Sequence, residues 1–416
     1  MKFIHAADIH LDSPLHGLSA YPDAPAAHLR NASREALSQL VERAIDEAVA
    51  FVIIAGDLYD GDWRDHNTGI FLSQQMGRLR KADIPVFLLF GNHDAESEMT
   101  KRLALPDNVF TFGASRPETH RLDVLKVALH GQSFKTQAVT ENLAHDYPDA
   151  ISGYYNIGVL HTALEGNSQH ANYAPCSRPE LEAKGYDYWA LGHVHEFQCW
   201  QEQATIVFPG NLQGRHIRET GRRGAVLVTV DDGHTMVERL FIDVLRWEHV
   251  SIDATDCESL NALAHKIGVA LESLLDVDGH VPRAVRVTLT GRTELHGHLL
   301  GAHENLRAEV LNQIAIIGNE KLWLEKVVRA TSPSLSPADY AARADAVSDL
   351  QTLLDEAAQD PELISLLANE LQAFVGRVPA EVGDDAELLA IARSGDMAAL
   401  IGRITPALLA RIASGE

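Results

Sequence analysis

Cysteine and positive charge are both scarce in this 416-residue chain. Its three cysteines, Cys176, Cys199 and Cys257, are odd in number and form no C-x-x-C pair. That excludes a disulfide framework and a thiolate metal site, and it fits a reducing cytoplasm. Lys and Arg total 35 against 58 Asp and Glu, a formal net charge of -23. This excludes a general nucleic-acid binder, because sequence-independent affinity for phosphate comes from clustered basic side chains. Any contact with DNA must be local, or be supplied by bound cations or a basic partner. Long apolar runs are missing too: none approaches the roughly 18 residues of a membrane span. The opening MKFIHAADIHLD is interrupted by His5, Asp8 and His10 too early for a signal-peptide core. The expectation is a soluble, cytoplasmic protein with no membrane partner.

Apolar residues make up 46% of the chain and charged residues 22%, ordinary values for a globular protein. The length suggests two or three domains of about 100–200 residues each. Over residues 1–245, short β-rich runs alternate with amphipathic stretches. FVIIAGD, PVFLLFGNHD, YNIGVLHT, DYWALGHVH and AVLVTV read as strands, and residues 26–50 carry Leu37, Leu40, Val41, Ala44 and Ile45 at helical spacing. The alternation predicts an α/β fold with several parallel strands. Residues 246–332 change to strand, helix, strand, helix, strand, which predicts a small α+β second domain. Residues 333–416 turn Ala-, Leu- and acid-rich, with runs such as PELISLLANELQAFVGRV, and predict a helical tail with exposed apolar faces.

Polar residues cluster at the C-terminal ends of the predicted strands, where open α/β sheets place ligands. In order they are Asp8-x-His10, Gly56-Asp57, Gly91-Asn92-His93-Asp94, His161 and Gly192-His193-x-His195. Alternate residues on a strand share a side, so Asp8 with His10, and His193 with His195, each present two donors to one point. The donors are the carboxylates of Asp8 and Asp57, the amide of Asn92, and the imidazoles of His10, His161, His193 and His195. Seven ligands without a thiolate suit two metals that share a carboxylate. Mixed oxygen and imidazole donors favour Mn, Fe or Zn over Mg or Ca.

This ordered five-part pattern resembles the calcineurin-like metallophosphoesterases. The resemblance covers about the first half of the chain and implies a four-layer αββα sandwich with two divalent metal ions, Mn2+ first among them, at one sheet edge. It implies that Asp8, His10, Asp57 and His195 hold one metal and that Asp57, Asn92, His161 and His193 hold the other. His93 would act beside the leaving group as general acid or charge stabiliser, oriented by Asp60 of the GDLYD segment. For Asp60 and Asp94, turn formation and capping stand as the alternative.

FIHAADIHLDSPL, GDLYD and FPGNLQGRHIRETGRRGAVLVTV further resemble the SbcD nuclease subunit of DNA-repair exonucleases, its YhaO-like branch in particular. The stretch GDWRDHNTG lacks the Pro-Ser pair usual in SbcD relatives, so no role passes to His66. Arg215, His216 and Arg218, followed by Arg222 and Arg223, form a dense basic cluster suited to phosphate, or else an ordinary solvated hairpin. The implied activity is a dinuclear-metal phosphodiesterase that cuts nucleic-acid backbone, as exonuclease or endonuclease, with residues 246–332 guiding DNA. The implied partners are DNA, an SbcC-like coiled-coil ATPase docking on the tail, and a second copy of the chain. The rival readings are a phosphodiesterase or phosphatase for small nucleotides or phosphoproteins, and a scaffold without chemistry. The complete donor set with His93 argues against the last.

Overall fold

The computed structural model describes residues 1–13, 26–60, 66–96, 105–165, 173–275, 281–299, 303–317, 321–335, 339, 342, 346–375 and 387–413. They form two compact units, residues 1–248 with 280–284, and residues 249–279 with 285–416.

The first unit holds twelve strands: β1 (Lys2–Ala6), β2 (Phe51–Ala55), β3 (Val86–Leu89), β4 (Val109–Thr111), β5 (Glu118–Leu122), β6 (Val127–Gly131), β7 (Tyr155–His161), β8 (Tyr188–Gly192), β9 (Gln198–Gln201), β10 (Thr205–Phe208), β11 (Gly224–Asp231) and β12 (His234–Phe241). They make two six-stranded sheets, in the orders β12-β11-β1-β2-β3-β4 and β5-β6-β7-β8-β10-β9. Strands β1 to β4 run parallel in the first sheet, and β6, β7, β8 and β10 run parallel in the second. Antiparallel strands close the edges at β12, β5 and β9.

The period of two along each strand sorts the apolar side chains into layers. Phe3, Phe51, Ile53, Phe87 and Leu89 point inward and meet Ile157, Val159, Tyr188 and Val207 of the other sheet. Their neighbours Ile4, Val52, Ile54, Val86 and Leu88 point outward, to a core shared with Leu37, Leu40 and Val41 of helix Ala26–Asp46 and Leu72 and Met76 of helix His66–Lys81. Beyond the second sheet, Trp189, Leu191 and Ile206 pack with Tyr147, Tyr186 and Leu181 of helix Arg178–Ala183. The result is the αββα sandwich. The strands expected from FVIIAGD, PVFLLFGNHD, YNIGVLHT, DYWALGHVH and AVLVTV are β2, β3, β7, β8 and β11. Strands β1, β4, β5, β6, β9, β10 and β12 lie outside that set; of these, β4, β5 and β9 are short and half exposed.

The second unit has a three-stranded sheet of β13 (Arg246–Asp253), β14 (Arg283–Thr290) and β16 (Leu322–Arg329), and a two-stranded one of β15 (Arg292–Thr293) and β17 (Ser332–Pro333). Helices Leu260–Ser273 and His303–Ile317 pack on the larger sheet through Leu263, Ile267 and Val310. Ser259 caps the first helix, its hydroxyl accepting from the Ala262 amide at 3.2 Å. Helices Ala346–Ala357 and Met397–Ala413 pack on each other, and the latter also on β17. Leu353, Leu366, Phe374 and Leu388 remain exposed on this helical region, as its sequence suggests.

One inward-pointing residue of β1 is not apolar. His5 is fully buried between the sheets. Its Nδ1 lies 3.0 Å from the Tyr188 hydroxyl and its Nε2 3.1 Å from the Leu191 carbonyl, so a neutral ring donates to the carbonyl and accepts from the phenol. Burial lowers its pKa to about 3. Only the unfolded chain then takes up the proton between about pH 6.5 and pH 3, so this group destabilises the fold as pH falls through that window. His5→Leu should cost about 1–3 kcal/mol at neutral pH, because two buried polar groups lose their partner. The variant should also show a shallower acid decline. Urea unfolding at pH 7 and pH 5 reads both, and equal midpoints at pH 7 would contradict the assignment.

Candidate dinuclear metal centre

Strands β1, β2 and β3 are parallel neighbours in one sheet and β7 and β8 in the other, so their C-terminal ends open along the same edge. The residues just past those ends turn sharply. Asp8 (φ 50°), His10 (φ 44°), Asp57 (φ 50°) and His193 (φ 102°) all adopt positive φ. Few non-glycine residues do so, and such strain concentrates at functional sites. The glycines of the motifs make room for it. A Cβ on Gly192 would run into the Ala55 carbonyl, and one on Gly56 (φ 98°) into the His161 ring.

These turns bring the seven candidate ligands together, six buried and His195 half-buried. Ligand atoms of Asp8, His10 and His195 lie within 4.8 Å of one another, and so do those of Asp57, His161 and His193. Asp57 Oδ2 stands between the groups, 3.9 Å from His10 Nε2 and 3.5 Å from His161 Nε2. Asn92 Oδ1 is 2.9 Å from His161 Nε2. The Asp8 carboxylate accepts the His193 amide at 2.9 Å, which ties the two sheets together at the site.

The donor chemistry fits a bound cation in each group. His161 Nδ1 donates to the Ala55 carbonyl at 3.0 Å, which leaves the Nε2 lone pair facing the Asn92 oxygen and the Asp57 carboxylate. His195 Nδ1 donates to Glu219 Oε1 at 2.7 Å, which leaves its Nε2 lone pair 3.3 Å from His10 Nε2 and 3.8 Å from Asp8 Oδ1. The buried Nδ1 of His10 has no hydrogen-bond partner. Electron-rich atoms packed this closely must be bridged by a proton or by a cation. Burial works against a charged His161, yet Asp57 and Asp8 outweigh it and push its pKa up to about 9. Burial raises Asp8, whereas the imidazoles around Asp57 overcome burial and hold that carboxylate ionised. A dication answers the same field that otherwise draws a proton.

Around the ligands lies a second layer of contacts. His93 Nδ1 is 3.2 Å from Asp60 Oδ1, and Asp60 also accepts from the Ser13 hydroxyl at 2.6 Å. The nearby His10, the Ser13 hydroxyl that donates to it and the charge of Arg215 hold Asp60 below the usual carboxylate range, against its burial. Asp94 is buried and accepts the amides of Leu58, Tyr59 and Gly91 at 3.1, 2.9 and 3.0 Å, so it binds the GDLYD loop to the GNHD turn. Burial and then Asp57 push its pKa up to about 7. Glu219, which the motif reading does not include, joins His195, Asn211 and Arg215. The sequence offers no signal for it beyond its place in the basic segment.

The basic cluster divides. Arg215 lies at the site, its Nη2 3.3 Å from Glu219 and its Nη1 3.8 Å from Asp60, and His216 is half-buried beside Glu219 at 3.6 Å. Arg218 is exposed. Arg223 is buried and donates to the His195 carbonyl, to Glu196 Oε1 at 2.7 Å and to the Thr220 carbonyl at 2.7 Å. Arg222 stacks over Phe241, and Arg239 lies between Phe241 and Phe197. Both of these arginines are exposed. The side chain of His66 lies outside the described residues.

Comparison with known proteins matches residues 1–197 to the family described as calcineurin-like phosphoesterase and residues 247–332 to the middle domain of metallophosphoesterase YhaO. A Bacillus subtilis protein, "Uncharacterized metallophosphoesterase YhaO", is 34% identical over 295 residues, covering 70% of this chain and 72% of that protein. The chain belongs to the calcineurin-like metallophosphoesterases, in the YhaO branch. Among solved structures, a dimetal phosphatase from Danio rerio aligns with 58% of this chain and 96% of its own at 13% identity and a TM-score of 0.38. As a metallophosphoesterase the chain is a phosphoester hydrolase with a place for two divalent metals. No helix among the described residues is long and apolar enough to cross a membrane.

The two donor groups predict separable metals in this metallophosphoesterase. Metal analysis of purified protein should find close to two ions per chain, and His161→Ala should remove mainly one. A single ion that survives the substitution would rule out the division.

Proposed function

We propose that this metallophosphoesterase hydrolyses phosphodiester bonds of nucleic-acid backbone, DNA foremost, with two Mn2+ ions, Fe or Zn being the alternatives. The observation that carries the reading is the seven-donor centre with His93 half-exposed at its rim and a basic loop, Arg215 to Arg218, beside it. Bound metals would supply an acidified water and neutralise charge on the phosphate oxygens. Asp8, His10, Asp57 and His195 would hold one ion, and Asp57, Asn92, His161 and His193 the other. His93, turned by Asp60, would give its proton to the departing oxygen. Arg218 and His216 would meet the neighbouring phosphates. The resemblance to SbcD subunits adds an SbcC-like coiled-coil ATPase as partner, with the exposed Leu353, Leu366 and Phe374 as its docking residues.

A second reading, hydrolysis of small nucleotides or phosphoproteins, draws support from the internal contacts of Arg215 and Arg223. They leave fewer outward charges for a polyanion on a chain of net charge -23.

His93→Gln should keep metal content near that of the wild type and lower kcat by about a hundredfold or more. Loss of metal in this variant would make His93 a ligand and not an acid. A Mn-supplemented assay of linear duplex DNA, single strands and cyclic nucleotides decides between the readings. Arg218→Ala should slow DNA cleavage more than it slows hydrolysis of a small chromogenic phosphodiester, and should make DNA cleavage less sensitive to salt. Cleavage of cyclic nucleotides with no cleavage of either DNA would establish the second reading.

A further inference from the structure

Glu219 lies four residues beyond Arg215, and the two form one polar unit. Glu219 Oε1 accepts from His195 Nδ1 at 2.7 Å and from Arg215 Nη2 at 3.3 Å. Its Oε2 accepts from the Arg215 amide at 2.7 Å and from Asn211 Nδ2 at 2.9 Å. The carboxylate is buried and held from four directions. The other end of the Arg215 guanidinium, Nη1, is 3.8 Å from Asp60 Oδ1, the atom that lies 3.2 Å from His93 Nδ1. One guanidinium thus stands between two carboxylate–imidazole pairs. One pair ends in a candidate metal ligand and the other in the candidate proton donor.

We propose that Glu219 is the positioning residue of His195, and that Arg215, instead of contacting substrate, clamps Glu219 and Asp60 so that the two imidazoles keep one geometry. A carboxylate on Nδ1 fixes the tautomer that offers Nε2 to a metal and makes the imidazole a stronger donor. The partner of His161 Nδ1 is only a neutral carbonyl, that of Ala55. The group of Asp8, His10 and His195 thus has a carboxylate, itself paired with Arg215, behind one of its imidazoles. Arg suits the clamp because its planar fork reaches two acceptors at once, which a lysine ammonium on a flexible stem does not. Its side chain is largely buried, and its own Nε finds no hydrogen-bond partner. The arginine is turned toward the protein.

The inference rests on the dinuclear reading and is independent of the nucleic-acid one. The test is a Mn2+ titration of metal-free full-length protein followed by electron paramagnetic resonance, with kinetics on a small chromogenic phosphodiester. Wild type should take up two ions. Glu219→Ala should weaken one of them by about ten- to a hundredfold and leave the other unchanged, the usual scale for losing such a partner. Glu219→Gln, which keeps an acceptor but no charge, should fall between, and it carries the test if Glu219→Ala does not fold. Arg215→Met should weaken the same ion and lower kcat with KM little changed, and Arg215→Lys should not restore either value. Unchanged affinity for both ions in Glu219→Ala overturns the proposal. So does an Arg215→Met variant that raises KM alone, which would return Arg215 to the substrate. A wild-type chain that takes up fewer than two ions overturns the dinuclear reading and this proposal with it.

Discussion

A carboxylate and an imidazole lone pair that meet away from water repel unless positive charge lies between them. The first unit is arranged around that conflict. Five strand ends from two sheets deliver two carboxylates, an amide oxygen and four imidazoles into a space that water scarcely reaches. Separated, each would be an ordinary polar residue at a turn. Packed within a few ångströms, they gain from a cation what they lose in solvation. The raised pKa of His161 and the ionised state of Asp57 are two expressions of the same field.

Holding such groups in place opposes the stability of the fold. Asp8, His10, Asp57 and His193 sit in backbone conformations that L residues disfavour, and they persist only because the surroundings over-determine them. The braces are specific. Asp94 accepts three amides from the two loops that carry Asp57 and Asn92, the Asp8 carboxylate grips the His193 amide across the sandwich, and Arg223 binds the carbonyl of His195. Buried polar networks of this kind fix one arrangement only when every member is satisfied. Here His10 Nδ1, Arg215 Nε and Arg223 Nε are buried without a hydrogen-bond partner around the candidate ligands.

The acidic composition shapes the surroundings of the site. Of the five basic residues between Arg215 and Arg223, Arg223 is spent on internal hydrogen bonds and Arg215 on two carboxylates, while Arg222 lies exposed over Phe241. Attraction for a phosphate must then come chiefly from bound cations, with Arg218 and Arg222 at the margin. On the nucleic-acid reading, this makes the protein a weak binder of DNA by itself, which suits a subunit that works with a partner.

Much of this was legible in the amino-acid order. The β-rich runs ending in Asp, Asn and His mark strand termini because alternation and buried apolar runs are local properties, and metal donors must sit where a chain leaves the sheet. The motifs alone therefore named seven candidate donors and the family, while the boundary expected at residue 333 does not divide the compact second unit, which runs on through the helical tail. What the order of residues does not contain is the meeting of the two sheets. Asp94 had turn formation as one reading, and folding adds the Leu58 and Tyr59 amides of a separate loop to the local Gly91 amide. The basic run read either as a phosphate site or as a solvated hairpin until folding buried Arg223 against the His195 carbonyl and left Arg222 exposed. Glu219 looked like one acid among many until folding set it on His195. A strand end can be read from its neighbours in the chain; the partner of a buried charge cannot, because only tertiary packing removes water and decides which groups face one another.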